Sequence, residues 1–465
     1  MNNSKETKLI KNTLIVGIGT ISSKAIIFIM APLFSRWLSV EEYGAFDLVT
    51  TYVSLLIPFC TLSISEAVFR FLLDGVDSKD KNGIISGGCF VLICGYSTFF
   101  VLYYIASSLF GFSFNWIICL FLFSQLVMTF FGEVARGLKK IEIYSLFNFI
   151  SVVFLTGLTT IFVLFLKMGL KGIILGYSLG YLISGLGMFF ATRSYKYISL
   201  SYVNKSRTSE MLKYSWPLIP NSISWWVVNV SDRIIINRWI SLAANGIYAV
   251  ANKIPAIVNI LFSVFHVSWL QSASENVSDA EYSLFCNRVY NKLIKYIFSS
   301  ITVLVSANFL YFSWLFDPKY SEAYIYSPIL IIAAGVSCVG QFIGGIMIAL
   351  KKTKENGATN IIAAISNIII NVVCVHKMGL LAAAISTISA YLIMVICRMI
   401  TIRKKLILRM DRGSILMIGF MLIITIVVYI NLRVLNIVCL FISLFVFCFI
   451  NKELLLKVVG IVQRR

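Results

Sequence analysis

Long, continuous apolar runs dominate this chain of 465 residues. Each run is about twenty residues long, the length that crosses the hydrocarbon core of a bilayer as a helix. Lipid cannot satisfy backbone polar groups, so only helices or closed barrels span a membrane. Barrel strands alternate in polarity over about ten residues, and these runs do not alternate. The sequence therefore predicts an all-α polytopic membrane protein with about 14 transmembrane helices. The predicted spans are 12–35, 43–69, 83–109, 114–135, 145–166, 172–192, 214–237, 246–270, 294–316, 325–350, 358–376, 379–397, 414–432 and 434–451.

The placement of charge sets the predicted orientation. Hydrophobic residues make up 59% of the chain and charged residues only 13%, and the net charge is +20. With the N-terminus in the cytoplasm, 30 of the 40 Lys and Arg residues lie on the cytoplasmic side, 7 on the opposite side and 3 within spans. This split follows the positive-inside rule and predicts that both termini are cytoplasmic. The basic excess is thus a topology signal with membrane lipid as its partner, and we expect no nucleic-acid binding.

The chain also carries an internal repeat, which is the signature of a duplicated unit. Three motifs recur in the same order at offsets of 202, 212 and 210 residues. The first pairs Arg36-Trp-Leu-Ser-Val-Glu-Glu-Tyr-Gly44 with Arg238-Trp-Ile-Ser-Leu-Ala-Ala-Asn-Gly246. The others pair Leu138-Lys139-Lys140 with Leu350-Lys351-Lys352, and Met168-Gly169-Leu170 with Met378-Gly379-Leu380.

Six spans separate the partners of each repeated motif, so the partners cross the membrane in the same direction. The prediction is two parallel six-helix lobes followed by a C-terminal hairpin, a plan found in transporters with two similar halves. The boundaries are an N-terminal lobe at 1–192, a cytoplasmic inter-lobe loop at 193–213, a C-terminal lobe at 214–397, and appended helices 13 and 14 with a cytoplasmic tail at 398–465.

Several function classes are disfavoured by composition. The 10 Cys residues form no CxxC pair and His occurs only at His266 and His376, so we expect no metal site. No P-loop motif is present, which argues against an ATPase. No predicted loop is long enough for a soluble catalytic domain. We therefore expect a protein that is not an enzyme and has no cofactor.

Lys24 is the strongest candidate for a binding residue in the first lobe. It lies midway along the first predicted span, about 18 Å from either end at ~1.5 Å per residue, too far to reach a surface. Charges inside lipid are costly and mark functional sites by default. We expect Lys24 to face a wet cavity and an anionic ligand; the alternative is a buried structural ion pair.

A second cluster lies in spans 7 and 8, where Asp232, Arg233 and Lys253 are expected at similar depth. One interpretation is an Asp232–Lys253 salt bridge that only fixes packing. The other is a substrate site whose net positive charge attracts an anion, with Asp232 tuning it or carrying a coupling proton or cation. Within the repeat, Lys24 aligns with Trp226 and Lys253 aligns with Thr51, so each lobe offers a cation that the other lacks.

Two close charge pairs lie at predicted cytoplasmic helix ends. Glu66 and Arg70 are spaced i, i+4, and Glu133 and Arg136 are spaced i, i+3. Such pairs often stabilise a helix surface by only a few tenths of a kcal/mol, roughly 0.2–0.5. The functional alternative is a gate at the cytoplasmic mouth.

Two stretches resemble a known family. Tyr214-Ser-Trp-Pro-Leu-Ile-Pro-Asn-Ser-Ile-Ser-Trp-Trp226, followed by Asp232-Arg233 and Gly246-Ile-Tyr-Ala-Val-Ala-Asn-Lys-Ile254, is similar to the seventh and eighth helices of Wzx-type polysaccharide flippases. The first loop around Arg36 resembles the same family, which belongs to the multidrug/oligosaccharidyl-lipid/polysaccharide exporter superfamily.

The resemblance implies a flippase that moves undecaprenyl-diphosphate-linked oligosaccharide repeat units across the bacterial inner membrane by alternating access. The glycan would serve O-antigen, and hence lipopolysaccharide, or capsule assembly. The lipid-linked oligosaccharide is then the substrate, and the polysaccharide polymerase and chain-length regulator are the expected protein partners. The cations Lys24, Arg233 and Lys253 suit a diphosphate headgroup.

Two alternatives belong to the same superfamily. A flippase for lipid II-type peptidoglycan precursors would use a similar cationic cavity, and only the stretch from Tyr214 argues against it. A cation-coupled multidrug exporter would need more intramembrane acids than bases, whereas this chain has the reverse.

Overall fold

A computed structural model describes residue 26 and residues 28–73, 78–111, 115–275 and 281–452. Regular structure in these ranges is helical throughout, with no strand among them. We number the helices in chain order, beginning with α1 at 28–37. The others are α2 (Val40–Thr61), α3 (Ile64–Leu73), α4 (Ser78–Phe110), α5 (Trp116–Gly137), α6 (Ile141–Thr160), α7 (Gly169–Ala191), α8 (Lys205–Ser215), α9 (Leu218–Val230), α10 (Asp232–Trp239), α11 (Leu242–Ala251), α12 (Lys253–Glu275), α13 (Tyr282–Ser306), α14 (Asn308–Leu310), α15 (Ala323–Ala349), α16 (Thr353–Met378), α17 (Leu380–Ile402), α18 (Arg412–Tyr429) and α19 (Arg433–Ile450).

The helices of this multi-pass membrane protein are long and apolar. Among the described residues, 11 helices are long and apolar enough to cross a membrane, or 12 if the pair bent by 42° between Ser306 and Asn308 is one span. Two predicted spans account for the difference from fourteen. Most of span 1 lies outside the described residues, and span 7 is broken into α9 and α10, each too short to cross alone.

Several predicted spans are broken rather than continuous. Span 2 stops after α2, because Leu62 and Ser63 adopt positive φ values of 49° and 53° before α3 begins. Span 7 breaks at Ser231, whose hydroxyl donates to the Val227 carbonyl and leads into α10. Span 8 is interrupted at Asn252, which ends α11. Apolar residues resume after each break, so hydropathy averaged over a whole span does not reveal them.

The described chain forms two compact units, Met1–Trp226 and Val227–Arg465. In the first unit α7 packs against α5 and α6, and α3 packs against α5. In the second unit α15 packs against α12, α13 and α17, and nearly all of its side chains are buried. The predicted lobe boundaries rest on sequence repeats and stay a prediction.

The repeated Leu-Lys-Lys motif has the same local structure in both units. Lys139 has φ 61° and Lys351 has φ 59°, so each helix ends in a left-handed turn. The ammonium of Lys140 donates to the Thr192 carbonyl at 2.8 Å, and that of Lys352 donates to the Thr401 carbonyl at 2.7 Å. In each unit a lysine thus satisfies a free carbonyl at the end of a later helix, where a cation also favours the helix dipole.

The other two motifs also share a conformation. Ser39 accepts from the Glu42 amide at 3.1 Å and caps α2, as Ser241 accepts from the Ala244 amide at 3.0 Å and caps α11. Gly169 is the first residue of α7 and Gly379 directly precedes α17, with φ of 53° and 54°. The copies differ in one respect: the Glu42 carboxylate also accepts from the Leu170 amide at 3.1 Å, and Ala244 stands at the matching position of the second copy.

The segment predicted as an inter-lobe loop, 193–213, contains a helix. Asn204 accepts from the amides of Ser206 and Arg207 and begins α8. One face of α8 is buried at Met211 and packs against α3 and α4. Arg207 on this helix contacts the Asp80 carboxylate at 3.2 Å. Because α8 is short and polar on its outer face, it gives no long apolar run, and the assignment of 193–213 as the connection between the lobes stays a prediction.

Two asparagines of α13 hold the extended segment that leads to α18. Asn287 donates to the Ile407 carbonyl at 2.9 Å and accepts from the Arg409 amide at 2.8 Å. Asn291 donates to the Arg409 carbonyl at 2.9 Å and accepts from the Asp411 amide at 2.8 Å. Four helical residues rise ~6.0 Å and two extended residues ~6.6 Å, so the two spacings match. We call this the asparagine ladder.

Candidate functional site

A polar site lies in the second unit around Asp232, the first residue of α10. Its side chain is only 2% exposed. Three neutral side chains donate to the carboxylate: Tyr248 to Oδ2 at 2.9 Å, Asn371 to Oδ1 at 2.9 Å, and Thr387 to Oδ2 at 2.7 Å. They come from α11, α16 and α17, so four helices meet at one carboxylate. Because an isolated buried carboxylate is very costly, these donors are what allows it to stay here.

The site opens into a pocket of about 160 Å³. Arg233 lines it beside Asp232, with its guanidinium carbon 6.0 Å from the centre of the Tyr248 ring, within cation–π range. The remaining lining mixes amides with apolar groups and is formed by Asn252, Pro255, Ala256, Asn259, Leu330, Ala333, Ala334, Thr387 and Tyr391. A buried acid and a base therefore face the same small polar cavity.

Two acceptor oxygens near Asp232 lack a hydrogen-bond donor within the described ranges, namely Oδ1 of Asn371 and Oδ1 of Asn259. Together with the Asp232 carboxylate they place three acceptor side chains in and beside this pocket. Such a set of oxygens can accept a proton or a small hard cation. Groups of three or more His, Cys, Asp or Glu residues suited to a metal are absent from the described part of the chain.

The structure brings together part of the predicted second cluster. Asp232 and Arg233 share the pocket, and Lys253 begins α12 immediately after Asn252, which lines it. Lys253 is partly exposed. The hydrogen bonds to Asp232 described above come from Tyr248, Asn371 and Thr387, and the Asp232–Lys253 salt bridge stays a prediction.

Lys24 lies outside the described residues, and its role stays a prediction. Its counterpart in the repeat, Trp226, is 7% exposed. The indole N–H of Trp226 donates to the Thr51 carbonyl and to the Ser54 hydroxyl, both at 3.1 Å, within the first unit. Where Lys24 is expected to supply a charge, its counterpart therefore supplies a helix-to-helix hydrogen bond.

The predicted gate residues are placed at the ends of α3 and α5. Glu133 and Arg136 form an ion pair at 2.7 Å, and the Arg136 guanidinium lies 4.4 Å from the centre of the Phe69 ring of α3. Glu66 and Arg70 are exposed on α3. The Glu133–Arg136 pair thus links the two helices through Phe69, while the gating role of all four residues stays a prediction.

Sequence reasoning missed one buried cation, Arg398 near the end of α17. It is only 4% exposed. Its guanidinium donates to the Gly340 carbonyl at 2.5 Å, the Thr359 hydroxyl at 3.1 Å and the Asn360 side-chain oxygen at 2.8 Å. Predicted span 12 ends at residue 397, which assigns Arg398 to a loop. The apolar residues Met399, Ile400 and Ile402 were the available signal that the helix continues.

The fold places the chain in a class of membrane transporter folds. It is similar to the lipid II flippase MurJ in an inward closed conformation, with a TM-score of 0.73, 14% identity, and coverage of 96% of this chain and 100% of that one. It is also similar to an inward-facing multidrug resistance MATE family transporter of the MOP superfamily, with a TM-score of 0.64, 11% identity, and coverage of 83% and 98%. At these low sequence identities, the similarity shows a shared fold and nothing further.

The sequence defines the family within that class. The model of the polysaccharide biosynthesis protein family matches residues 9–270, and the chain belongs to this family. It is 28% identical over 264 residues to the Lsg locus putative protein 1 of Haemophilus influenzae. That alignment spans 54% of this chain and 63% of the relative, less than two thirds of its length.

Proposed function

We propose that this protein is a flippase for undecaprenyl-diphosphate-linked oligosaccharide repeat units, acting in the bacterial inner membrane by alternating access. Both termini are cytoplasmic in this proposal, and the glycan is destined for O-antigen or capsule. The protein catalyses no covalent step. The observation that carries the proposal is the buried Asp232–Arg233 pocket inside a membrane protein of the polysaccharide biosynthesis family.

Three cations are assigned to the diphosphate. Phosphate oxygens are held best by charge-assisted hydrogen bonds, and Arg233, Lys253 and Lys24 are basic residues that the sequence places within spans. Arg233 lines the pocket described above. The neutral amides Asn252 and Asn259 in the same pocket suit the hydroxyls of a sugar.

We assign Asp232 to energy coupling. Three neutral side chains donate to its carboxylate, and Oδ1 of the neighbouring Asn371 accepts no hydrogen bond from any described residue. Uptake of a proton or small cation would neutralise the carboxylate. This changes the electrostatic energy of the buried site. The proton and the cation are alternatives that a measurement with controlled gradients separates.

The proposed function is tested by deleting the gene in its source organism. The expected result is loss of surface glycan together with accumulation of lipid-linked single repeat units on the cytoplasmic leaflet. Loss of a glycosyltransferase would instead leave the repeat unit incomplete, and loss of a polymerase would leave single units on the outer leaflet. Normal glycan display would refute the proposal. Arrest of peptidoglycan synthesis would favour a lipid II-type substrate.

A further inference from the structure

The segment between α17 and α18 is held in place rather than left as a free loop. The asparagine ladder fixes the main chain from Ile407 to Asp411 against α13. Lys295, one further turn along α13, contacts the Asp411 carboxylate at 2.6 Å. Side chains on this segment therefore have defined positions relative to the end of α17.

An apolar pocket of about 220 Å³ lies where this segment leaves α17. Its lining is apolar except for one cation and consists of Met399, Ile400, Ile402, Arg403, Leu406, Ile407 and Leu408. Ile400 and Ile407 are each 55% exposed. Exposed aliphatic side chains beside a preformed pocket are costly in water and favourable against an acyl chain.

The surroundings of this pocket are strongly basic. Arg403, Lys404, Lys405 and Arg409 are all exposed on the segment. Its one acid, Asp411, is paired with Lys295, whose hydrogen bond lowers the pKa of the Asp411 carboxyl. The positive-inside rule predicts that this end of the helices faces the cytoplasm, where the leaflet carries negative surface potential. An apolar pocket with a cationic rim at that level complements a molecule that has an acyl chain and an anionic headgroup.

We propose that this segment is a binding site for an anionic phospholipid of the cytoplasmic leaflet. The upper part of an acyl chain occupies the pocket against Ile400 and Ile407. Arg403 and Lys404 bind the phosphate of the headgroup, with Lys405 and Arg409 adding to the field. The site is separate from the Asp232 pocket, and its existence does not depend on which substrate the protein transports.

A general attraction of basic loops for anionic membranes does not explain these observations. That attraction needs only charge, whereas here an apolar pocket and a fixed main chain accompany the charge. The first unit provides a comparison, because Lys205 and Lys213 of α8 are also exposed and predicted to be cytoplasmic. Neither residue lines any pocket described above. Comparing lipid binding after substitution of Arg403 and Lys404 with that after substitution of Lys205 and Lys213 therefore distinguishes a bound lipid from a diffuse attraction.

The test uses the full-length protein, purified, delipidated and placed in phosphatidylcholine nanodiscs. Phosphatidylglycerol is added stepwise, and retained lipid is counted by native mass spectrometry after release. We expect one tightly retained phosphatidylglycerol per protein and at least about tenfold weaker retention in R403Q/K404Q. I407S should weaken retention without a change of charge, because the ladder bonds only the main chain at that position. The matched variant K205Q/K213Q should retain lipid as the wild type does.

Three results would overturn the proposal. One is equal retention of phosphatidylcholine and phosphatidylglycerol by the wild type. Another is an equal loss in K205Q/K213Q, which would assign binding to diffuse surface charge. The third is displacement of phosphatidylglycerol by an equimolar polyprenyl phosphate, which would assign the site to the transport substrate. Thermal melts of each variant verify that loss of lipid is not loss of fold.

Discussion

The side-chain amide of Asn371 donates to Oδ1 of Asp232 at 2.9 Å, joining residues that are 139 positions apart in the sequence. The carbonyl oxygen of the same amide accepts no hydrogen bond from the described residues. Asn371 thus supports the carboxylate through its N–H and presents a second acceptor oxygen beside it. A carboxylate and an amide oxygen placed together in this way are suited to take up and release a positive charge.

Replacing Asp232 should abolish coupling while leaving the protein folded. Asp232→Asn keeps the size of the side chain and removes its charge, and we expect glycan display to fall at least about tenfold, ~1.4 kcal/mol in the limiting step. Adding Asn371→Asp returns a carboxylate to the same pocket, so D232N/N371D should recover part of the activity. Display is measured in the deletion strain, with membrane abundance as the control. Full activity of Asp232→Asn would remove Asp232 from the mechanism.

Neutralising Lys24 should block translocation without loss of the protein. A diphosphate headgroup needs a cation at the depth that Lys24 is predicted to reach, and glutamine cannot supply it. We expect Lys24→Gln to accumulate cytoplasmic-leaflet repeat units as the gene deletion does. Lys11→Gln, at the predicted end of the same span, is the matched control and should behave as the wild type. Normal glycan display in the Lys24→Gln strain would contradict the assignment of Lys24 as a substrate-binding residue.

The two glycines of the repeated Met-Gly-Leu motif should differ in their tolerance of alanine. Both have a positive φ, 53° at Gly169 and 54° at Gly379, so a side chain is strained at either position. A Cβ on Gly169 would also clash with Oε1 of Glu42, whereas one on Gly379 would meet nothing within 4 Å. Gly169→Ala should therefore destabilise the protein by about 2 kcal/mol more, through loss of the Glu42 hydrogen bonds.

The control for this pair is the Glu42→Ala background, in which the cost of Gly169→Ala should fall while that of Gly379→Ala should not change. Thermal melting of the purified protein, followed by tryptophan fluorescence, gives the comparison. Equal melting temperatures for Gly169→Ala and Gly379→Ala in the wild-type background would contradict the role given to Glu42.

Arg398 should not tolerate lysine. Its guanidinium bonds acceptors on α15 and α16 at once, and a lysine ammonium cannot reproduce that fork. We expect Arg398→Lys to lower the free energy of unfolding by ~1–3 kcal/mol. Arg403→Lys, on the exposed surface a few residues later, should change it by less than about 0.5 kcal/mol. Equal melting temperatures for Arg398→Lys and Arg403→Lys would show that the buried hydrogen bonds of Arg398 contribute little to stability.

The Glu133–Arg136 pair should affect transport more than stability if it gates the pathway. Its side chains are 16% and 39% exposed, so the ion pair itself contributes only a few tenths of a kcal/mol, roughly 0.2–0.5. Glu133→Gln and Arg136→Gln should each lower glycan display severalfold with nearly unchanged melting temperatures. Unaltered display in both variants would leave the pair as a helix-surface contact beside Phe69.

The sequence predicts the membrane fold because hydropathy is a local property, readable one helix at a time. Repeated motifs such as Leu-Lys-Lys are also local, and their shared left-handed turn at Lys139 and Lys351 makes the repetition visible in structure. Helix breaks at Leu62 and Ser231 escape prediction because neither is Gly or Pro and apolar residues resume beyond them.

The candidate site was predictable only in its charged members. Asp232 and Arg233 stand out as charges within an apolar run, and no partner is needed to notice them. Tyr248, Asn371 and Thr387 are ordinary residues for a membrane helix, and only the packing of α11, α16 and α17 brings them to the carboxylate. Arg398 was missed although it is charged, because a cation at the end of a predicted span normally marks the boundary of the helix.

The asparagine ladder holds the main chain of its segment without specifying which side chains the segment carries. The bonds of Asn287 and Asn291 to this segment go to its peptide groups, so the identity of the side chain at 410 does not enter those bonds. Homologous chains are free to diverge at 410 while the C-terminal hairpin keeps its attachment. The same freedom makes position 410 a suitable place for a fluorophore or an affinity tag, since a label there would report on the transporter without loosening it.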